Sequence, residues 1–361
     1  MTTAPARPTG QSSWHSTINT LPGEEPAATP YHSRAWAHAW QSISSEPVLA
    51  SRHLALYDGS RRYRLSYQLI ESSPMWTAVE GDAGLPEPVW QEPVLYAPSI
   101  YGEYGGLPGA SPLVLAEAVD RGMELAREWG APALVVPNLP PADLEQWTAI
   151  RPPDAQVCLY WAHRAPVASS LEKFVANFSS SKCRSDFRRQ HRRGTEAGLR
   201  LRIAPGTAMR DALPDFVAQA CATSQQHGPA LYGLDMLTPL MHAPGAVALL
   251  AEHDDGLAGG LLCFRHNGVL YLWAAAIDQD RKAVLHTYGW LMAESIAYAV
   301  ATGTQVLDAG RGNYEYKSRL GFGTIPLTSA IYLTQPDPAA AGRLQAMHTG
   351  LQEHAMRAWG H

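Results

Sequence analysis

The hydrophobic pattern of this chain switches between the two periods of regular structure, most clearly over residues 269–327 (VLYLWAAAIDQDRKAVLHTYGWLMAESIAYAVATGTQVLDAGRGNYEYKSRLGFGTIPL). Leu285, Tyr288, Met292, Ile296 and Ala299 recur at three- and four-residue spacing, which predicts one long helix with a buried face and Gly303 as its C-cap. Apolar runs on either side, residues 269–277 and 305–308, predict strands. A strand, a long helix and a returning strand make a βαβ unit, so the two strands should lie parallel in one sheet. The polar residues fall at the element ends: Asp278, Asp280, Arg281 and Lys282 after the first strand, Asp308 and Arg311 after the second. Ligands of such sheets sit beyond the carboxyl ends of the strands. The stretch therefore reads as half of an active site.

Upstream, Trp36 and Trp40 predict a short helix over 30–43, and two Leu/Tyr-rich runs, 48–57 and 63–70, a hairpin through Asp58-Gly59. Residues 93–106 read as a strand leaving into an aromatic, glycine-rich loop. An amphipathic helix (112–129, ended by Gly130), a strand (133–136), a helix (142–150) and a strand (155–162) follow. From Leu171 the order nearly repeats. A basic helix (171–194), a strand (199–204) and two helices (208–227, 234–242) come first, then strands 247–253, 259–266 and 269–277. The long helix, strand 305–308, helix 314–320, strand 325–333 and a polar helix (339–359) complete the chain. Two copies of one mixed α/β module account for this order. The expected division is a flexible arm rich in Pro, Thr, Ser and Gly (1–29), a first domain (30–165), a second (166–335) and a terminal helix (336–361).

Composition narrows the class. Hydrophobic residues make up 46% and charged ones 17% of 361 residues, as in a globular protein with much to bury, and a net charge of −5 argues against a surface built throughout for nucleic acid. Cys158, Cys183, Cys221 and Cys263 form no CxxC pair, so neither a metal site nor a disulfide scaffold is expected, and a reducing cytoplasm fits. No leader and no apolar run of about 20 residues opens or interrupts the chain, so neither secretion nor membrane insertion is expected.

The order of elements, with SSSKCRSDFRRQHRRG and LDAGRGNYEYKSRLGFG, resembles the GNAT (Gcn5-related N-acyltransferase) superfamily, and within it the tandem-domain FemABX-like and BioF2-like acyltransferases. In the second half Asp308, Arg311, Gly312, Tyr316, Lys317, Leu320 and Gly321 match the family's pattern; in the first half the likeness is topological. The resemblance implies tandem mixed α/β domains and transfer of an acyl group to an amine from acyl-CoA, a carrier protein or an aminoacyl-tRNA, with no tightly bound cofactor. One departure stands out. Where ordinary members have a glycine-rich pyrophosphate loop, this chain has DQDRKAVLHTYG, without paired glycines. An acyl-phosphopantetheine, or a tRNA end, suits it better than a standard coenzyme A clamp.

Against that background the candidate residues take roles, each with a plainer alternative. Lys317 and Arg311 hold a donor phosphate or substrate carboxylate, or stabilise an oxyanion; alternatively they are surface cations on a short helix. Asp308 orients Arg311 or accepts the amine's proton, or is an N-cap or a plain ion pair. Tyr316 or Tyr314 protonates a leaving group and Glu315 serves as base, or the two rings pack under the loop. Arg281, Lys282 and His286 face the donor phosphate, with a capping role the alternative for His286. Tyr271 and Trp273 share a face of the central strand, lining the donor and acceptor gap or packing on the sheet. Tyr101 and Tyr104 shape the acceptor pocket from a degenerate first half. Lys182, Arg184, Arg188, Arg189, Arg192 and Arg193 form a helical stripe suited to an acidic carrier helix or tRNA, or a solvated face. The expected product is an amide on a small-molecule amine acceptor, made by a monomer in a biosynthetic pathway. A catalytically inactive ligand-binding module is the remaining alternative.

Overall fold

The computed structural model describes residues 12–21, 27–41, 46–226 and 231–359. Its elements run β1 (Ser12–His15), α1 (Arg34–Ala39), β2 (Val48–Asp58), β3 (Arg61–Ile70), α2 (Pro74–Asp82), β4 (Val94–Tyr96), α3 (Pro112–Glu128), β5 (Ala133–Leu139), α4 (Pro141–Ile150) and β6 (Ala155–Pro166). Next come α5 (Leu171–Ala176), α6 (Ser181–Glu196), β7 (Arg200–Pro205), α7 (Leu213–Gln225), α8 (Leu234–Leu240), β8 (Ala246–His253), β9 (Gly256–His266) and β10 (Val269–Ile277). The chain ends with α9 (Lys282–Leu285), α10 (Thr287–Ala301), β11 (Val306–Asp308), α11 (Tyr314–Arg319), β12 (Gly323–Leu333) and α12 (Pro338–Ala358). They form two compact units, one of the described residues up to Tyr160 with Pro326–Trp359, the other of Trp161–Ile325.

Both units share one mixed α/β plan. The first orders its strands β1-β2-β3-β4-β5-β12 and the second β7-β8-β9-β10-β11-β6. The fourth and fifth strands are parallel in each, β4 with β5 and β10 with β11, while hairpin neighbours such as β2/β3 and β8/β9 are antiparallel. The closing strand of each sheet comes from the opposite half of the sequence, β12 beside β5 and β6 beside β11. Cutting the chain at 165/166 and 335/336 therefore separates strands from the sheets they complete. The terminal helix α12 belongs to the first unit, where His348 accepts from the Cys158 N–H at 3.1 Å.

Helices form where an apolar stripe meets a cap. In α3, Val114, Leu115, Ala118, Val119, Met123 and Ala126 are buried, and the chain leaves through Gly130 at φ +68°. The predicted helix 171–194 is instead α5 and α6: the first ends at Ala176 with Asn177 as its C-cap, and Ser180 caps the second by accepting from the Cys183 N–H. The predicted helix 208–227 starts only at Leu213, which puts Pro214 in its first turn; His227 lies outside the described residues. The long helix breaks at His286, whose left-handed backbone (φ 54°) turns Leu285 inward while Val284 stays 75% exposed. The arm of residues 1–29 also needs correction. Ser12–His15 pair with β2, and Ile18 and Leu21 are buried; residues 1–11 and 22–26 lie outside the described residues. Helix α2 was not foreseen.

In the second unit α6 lies close against α10, and Gly194 permits the approach. A Cβ there would stand 2.7 Å from the Trp290 ring and 3.0 Å from the Leu285 carbonyl oxygen, whereas Gly342 in α12 has open space. The same substitution should therefore act with opposite signs. Gly342→Ala is expected to stabilise by about 1 kcal/mol through helix propensity, while Gly194→Ala loses about 1–2 kcal/mol net to overpacking. Urea midpoints of both variants at constant m-value check this.

Candidate active site

The second unit's parallel pair is short. β10 and β11 are in register at Val269/Val306, Leu270/Leu307 and Tyr271/Asp308, after which β11 ends and β10 continues to Ile277. At this point β10 carries a bulge against β9 between Leu272 and Ala274, with Trp273 as the extra residue. Farther along, α7 closes the edge: the Thr223 hydroxyl accepts from the Ile277 N–H at 3.1 Å. Between these limits Trp273 and Ala275 are partly exposed. Beyond Asp308 the two strands are no longer paired.

The side chains around the parting are mutually engaged. Asp308, 1% exposed, accepts from Arg164 Nε at 2.7 Å and from the Gly310 N–H at 2.9 Å. The Arg164 guanidinium also lies 5.8 Å from the centroid of the Tyr271 ring and hydrogen-bonds its hydroxyl. Burial pushes the Tyr271 hydroxyl up to about 12; Arg164 opposes the shift and Asp308 adds to it. Asp308 therefore orients Arg164, a residue absent from the sequence-based candidates. The signal was there: His163 and Arg164 stand inside an apolar run, but the strand was ended at Ala162 when it continues to Pro166.

Lys317 is also not the surface cation of the plainer reading. It is 4% exposed, and its ammonium donates to the carbonyls of Gly310 (3.1 Å) and Arg311 (2.7 Å), tying the loop after β11 to α11. Arg311 is half-buried in that loop, and Asn313, at φ 48°, starts α11. Tyr314 is half-exposed and stacks on the His163 ring with centroids 5.5 Å apart and 26° between planes. Glu315 is exposed and 3.6 Å from Arg319, so as a base it would act from solvent. The Tyr316 hydroxyl is buried, pushed up by burial, and packs beside Tyr288 at 5.5 Å. The same burial removes it from the surface.

The donor residues are only partly brought together. Arg281 donates from Nε to Asp278 at 2.6 Å and from a terminal nitrogen to the Leu257 carbonyl at 2.9 Å, which pins the loop, while its other terminal nitrogen is buried without a partner among the described residues. Lys282 is exposed and donates to Gln279 at 2.6 Å. His286 is half-buried at the break between α9 and α10. Trp273 packs edge-on to Tyr232 at 5.4 Å. On α6, Arg184 donates to the Phe178 carbonyl at 3.1 Å, Lys182 is exposed, and the remaining stripe faces outward with Arg189 paired to Asp186 and Arg192 to Glu196.

Tyr101 and Tyr104 have a different place. In the first unit the end of the parallel pair is filled by the chain itself. The Asn138 amide donates to the Ile100 and Gly102 carbonyls (2.8 and 2.6 Å), and the Gly105 N–H donates to the Asn138 carbonyl at 3.1 Å. A Cβ at Gly105 would collide with the Pro137 carbonyl. Tyr101 is 2% exposed and stacked on Trp40, and Tyr104 lies near Tyr31. Both are core residues of the first unit, which corrects their assignment to an open acceptor loop.

The matched family model decides the class: it is described as an acetyltransferase (GNAT) domain and covers residues 181–318, from α6 to α11. The second unit carries a GNAT domain. Residues 181–318 accordingly carry an acyltransferase domain of the GNAT type, a family whose usual co-substrate is an acyl-CoA. Among solved structures the chain is similar to FemX, at 11% identity over 88% of this chain and 94% of that one, with a TM-score of 0.54. It is also similar to the C-terminal domain of a putative lysylphosphatidylglycerol synthetase from Agrobacterium fabrum (11% identity, 79% and 84% covered, TM-score 0.53) and to L-PGS from Bacillus licheniformis (12%, 79% and 86%, 0.50). At such identities these likenesses show the fold alone. No curated protein matches the chain. Among the described residues of the GNAT-type chain there is no cluster of three potential metal ligands and no helix long and apolar enough to cross a membrane.

Proposed function

We propose that the protein transfers an acyl group from a phosphopantetheine thioester, carried by an acyl-carrier protein or coenzyme A, to the amine of a small molecule. The observation that carries this reading is the parting of β10 from β11 after three paired residues, which leaves the edge from Trp273 to Ala275 for an extended thioester. Backbone N–H groups on that edge polarise the acyl carbonyl, the amine attacks directly, and holding both partners together supplies most of the acceleration. The Tyr271, Arg164 and Asp308 cluster borders the acceptor, and Lys317 holds the loop after β11. A carrier-borne arm is favoured over free coenzyme A because the loop before α10 lacks paired glycines and Arg281 is already committed to Asp278 and Leu257.

A second reading, aminoacyl transfer from a charged tRNA, is favoured by the outward basic face of α6, where Lys182, Arg188 and Arg193 are exposed alongside the paired Arg189 and Arg192. Native mass spectrometry with acyl-CoA, an acyl-carrier protein and a charged tRNA in turn separates the two. The leading reading expects a complex with the acyl-carrier protein that ribonuclease leaves intact. Binding of charged tRNA alone, destroyed by ribonuclease and weakened by about a thousandfold between 50 and 200 mM salt, selects the second. Absence of all three complexes sinks both.

A further inference from the structure

We propose that His163 hydrogen-bonds the leaving sulfur of the thioester donor, through a ring nitrogen that no described residue of the protein holds. The proposal rests on the thioester reading above and adds a residue to it. His163 lies on β6 and is 0% exposed, and neither Nδ1 nor Nε2 makes a well-formed hydrogen bond among the described residues, the Gly310 backbone lying near the ring without completing it. A buried imidazole with both nitrogens unmatched is unfavourable unless a ligand completes it, and such orphaned groups in native folds call for a functional account.

Its position supplies that account. The His163 N–H donates to the Gly310 carbonyl at 3.2 Å, and its carbonyl accepts from the Ala309 N–H at 2.8 Å. The residue thus stands beside the first two positions past β11, where the parallel pair has just parted. Its cover is the half-exposed Tyr314 ring, itself held edge-on by Trp161 at 5.9 Å. The chain reaches Tyr314 through three left-handed residues, Gly310, Gly312 and Asn313 (φ 68°, 73° and 48°), so a few dihedral changes would uncover the imidazole. Burial, reinforced by the nearby Lys317 ammonium and opposed by the Gly310 backbone, keeps the ring uncharged, so it carries one N–H to give and does not compete as a cation.

In the step this serves, the amine nitrogen bonds to the acyl carbon and the C–S bond breaks. The electron pair stays on sulfur, which accepts the hydrogen bond from His163 and leaves as a thiol with the proton the amine has lost. His163 itself neither gains nor loses a proton overall.

His163→Phe keeps the ring's bulk and removes both nitrogens. We expect phosphopantetheine, titrated against the full chain by calorimetry, to bind this variant about tenfold more weakly, with the unfolding midpoint equal to or above wild type. His163→Gln, which retains an N–H, should restore part of the loss. Carbethoxylation of His163 by diethyl pyrocarbonate, mapped by peptide mass, should be slow in the wild type, faster in Tyr314→Ala, and slowed again by phosphopantetheine. Equal binding to wild type and His163→Phe, or no protection in Tyr314→Ala, overturns the proposal and leaves the thioester reading standing. Failure of the wild-type chain to bind phosphopantetheine removes both.

Discussion

Asp308→Ala is expected to destabilise the second unit by about 3 kcal/mol and to lower turnover about a hundredfold. The carboxylate is buried and holds Arg164 at 2.7 Å and the Gly310 N–H at 2.9 Å. Removing it strands a guanidinium whose side chain is 31% exposed, so the cost belongs at the low end for breaking a buried pair. The turnover loss follows from geometry, because the loop from Gly310 to Asn313 is set by the same carboxylate and by Lys317, and a shift of about 1 Å at a reacting centre costs on the order of a hundredfold. Asp308→Asn keeps an acceptor for Gly310 and should fall between the two. Combining Asp308→Ala with Arg164→Ala should cost clearly less than the sum of the single changes. Additive denaturant midpoints would show that the pair carries no coupling.

Acidification should weaken the second unit selectively. Burial and the neighbouring Lys317 hold the His163 imidazole down to about 4, against 6.5 for the free side chain. The unfolded chain takes up this proton near pH 6.5 and the folded one only near pH 4. Between those values the unfolded state binds more protons, so stability falls as pH falls, by about 3 kcal/mol across the window. The first unit contains opposing terms. Burial, with His15 nearby, lowers His53 to about 4, which acts in the same direction, but burial raises Glu46 to about 7. The folded Glu46 keeps its proton where the unfolded one has lost it, so stability rises as pH falls from 7 to 4.5 and offsets the histidine. Hydrogen exchange measured at pH 7 and pH 5 should show protection lost in β10 and retained in β3. His163→Phe should abolish the loss in β10; an unchanged slope in that variant would assign the acid sensitivity to another group.

How much of this could be read from the chain is best seen in particular elements. The βαβ unit was legible because its signals are local: the period of Leu285, Met292, Ile296 and Ala299, the stop at Gly303, and polar residues bunched at two strand ends. The tandem order of strands was legible for the same reason. The break at His286 was not, because a left-handed residue there depends on Leu285 finding a place in the core beside Gly194. The direction of Lys317 was equally hidden. Spacing places it on α11 but says nothing of the two carbonyls that turn it inward.

By its sequence alone the chain determined its two-module order of elements and its resemblance to the GNAT family, since periodicity, turn residues and a short motif are properties of adjacent positions. Only the tertiary structure decided which strand completes which sheet, that Arg164 pairs with Asp308, and that the first unit fills its own parting with residues 100–105. Each of these depends on groups 30 to 200 positions apart meeting with complementary shape and charge, and a local pattern does not encode such meetings.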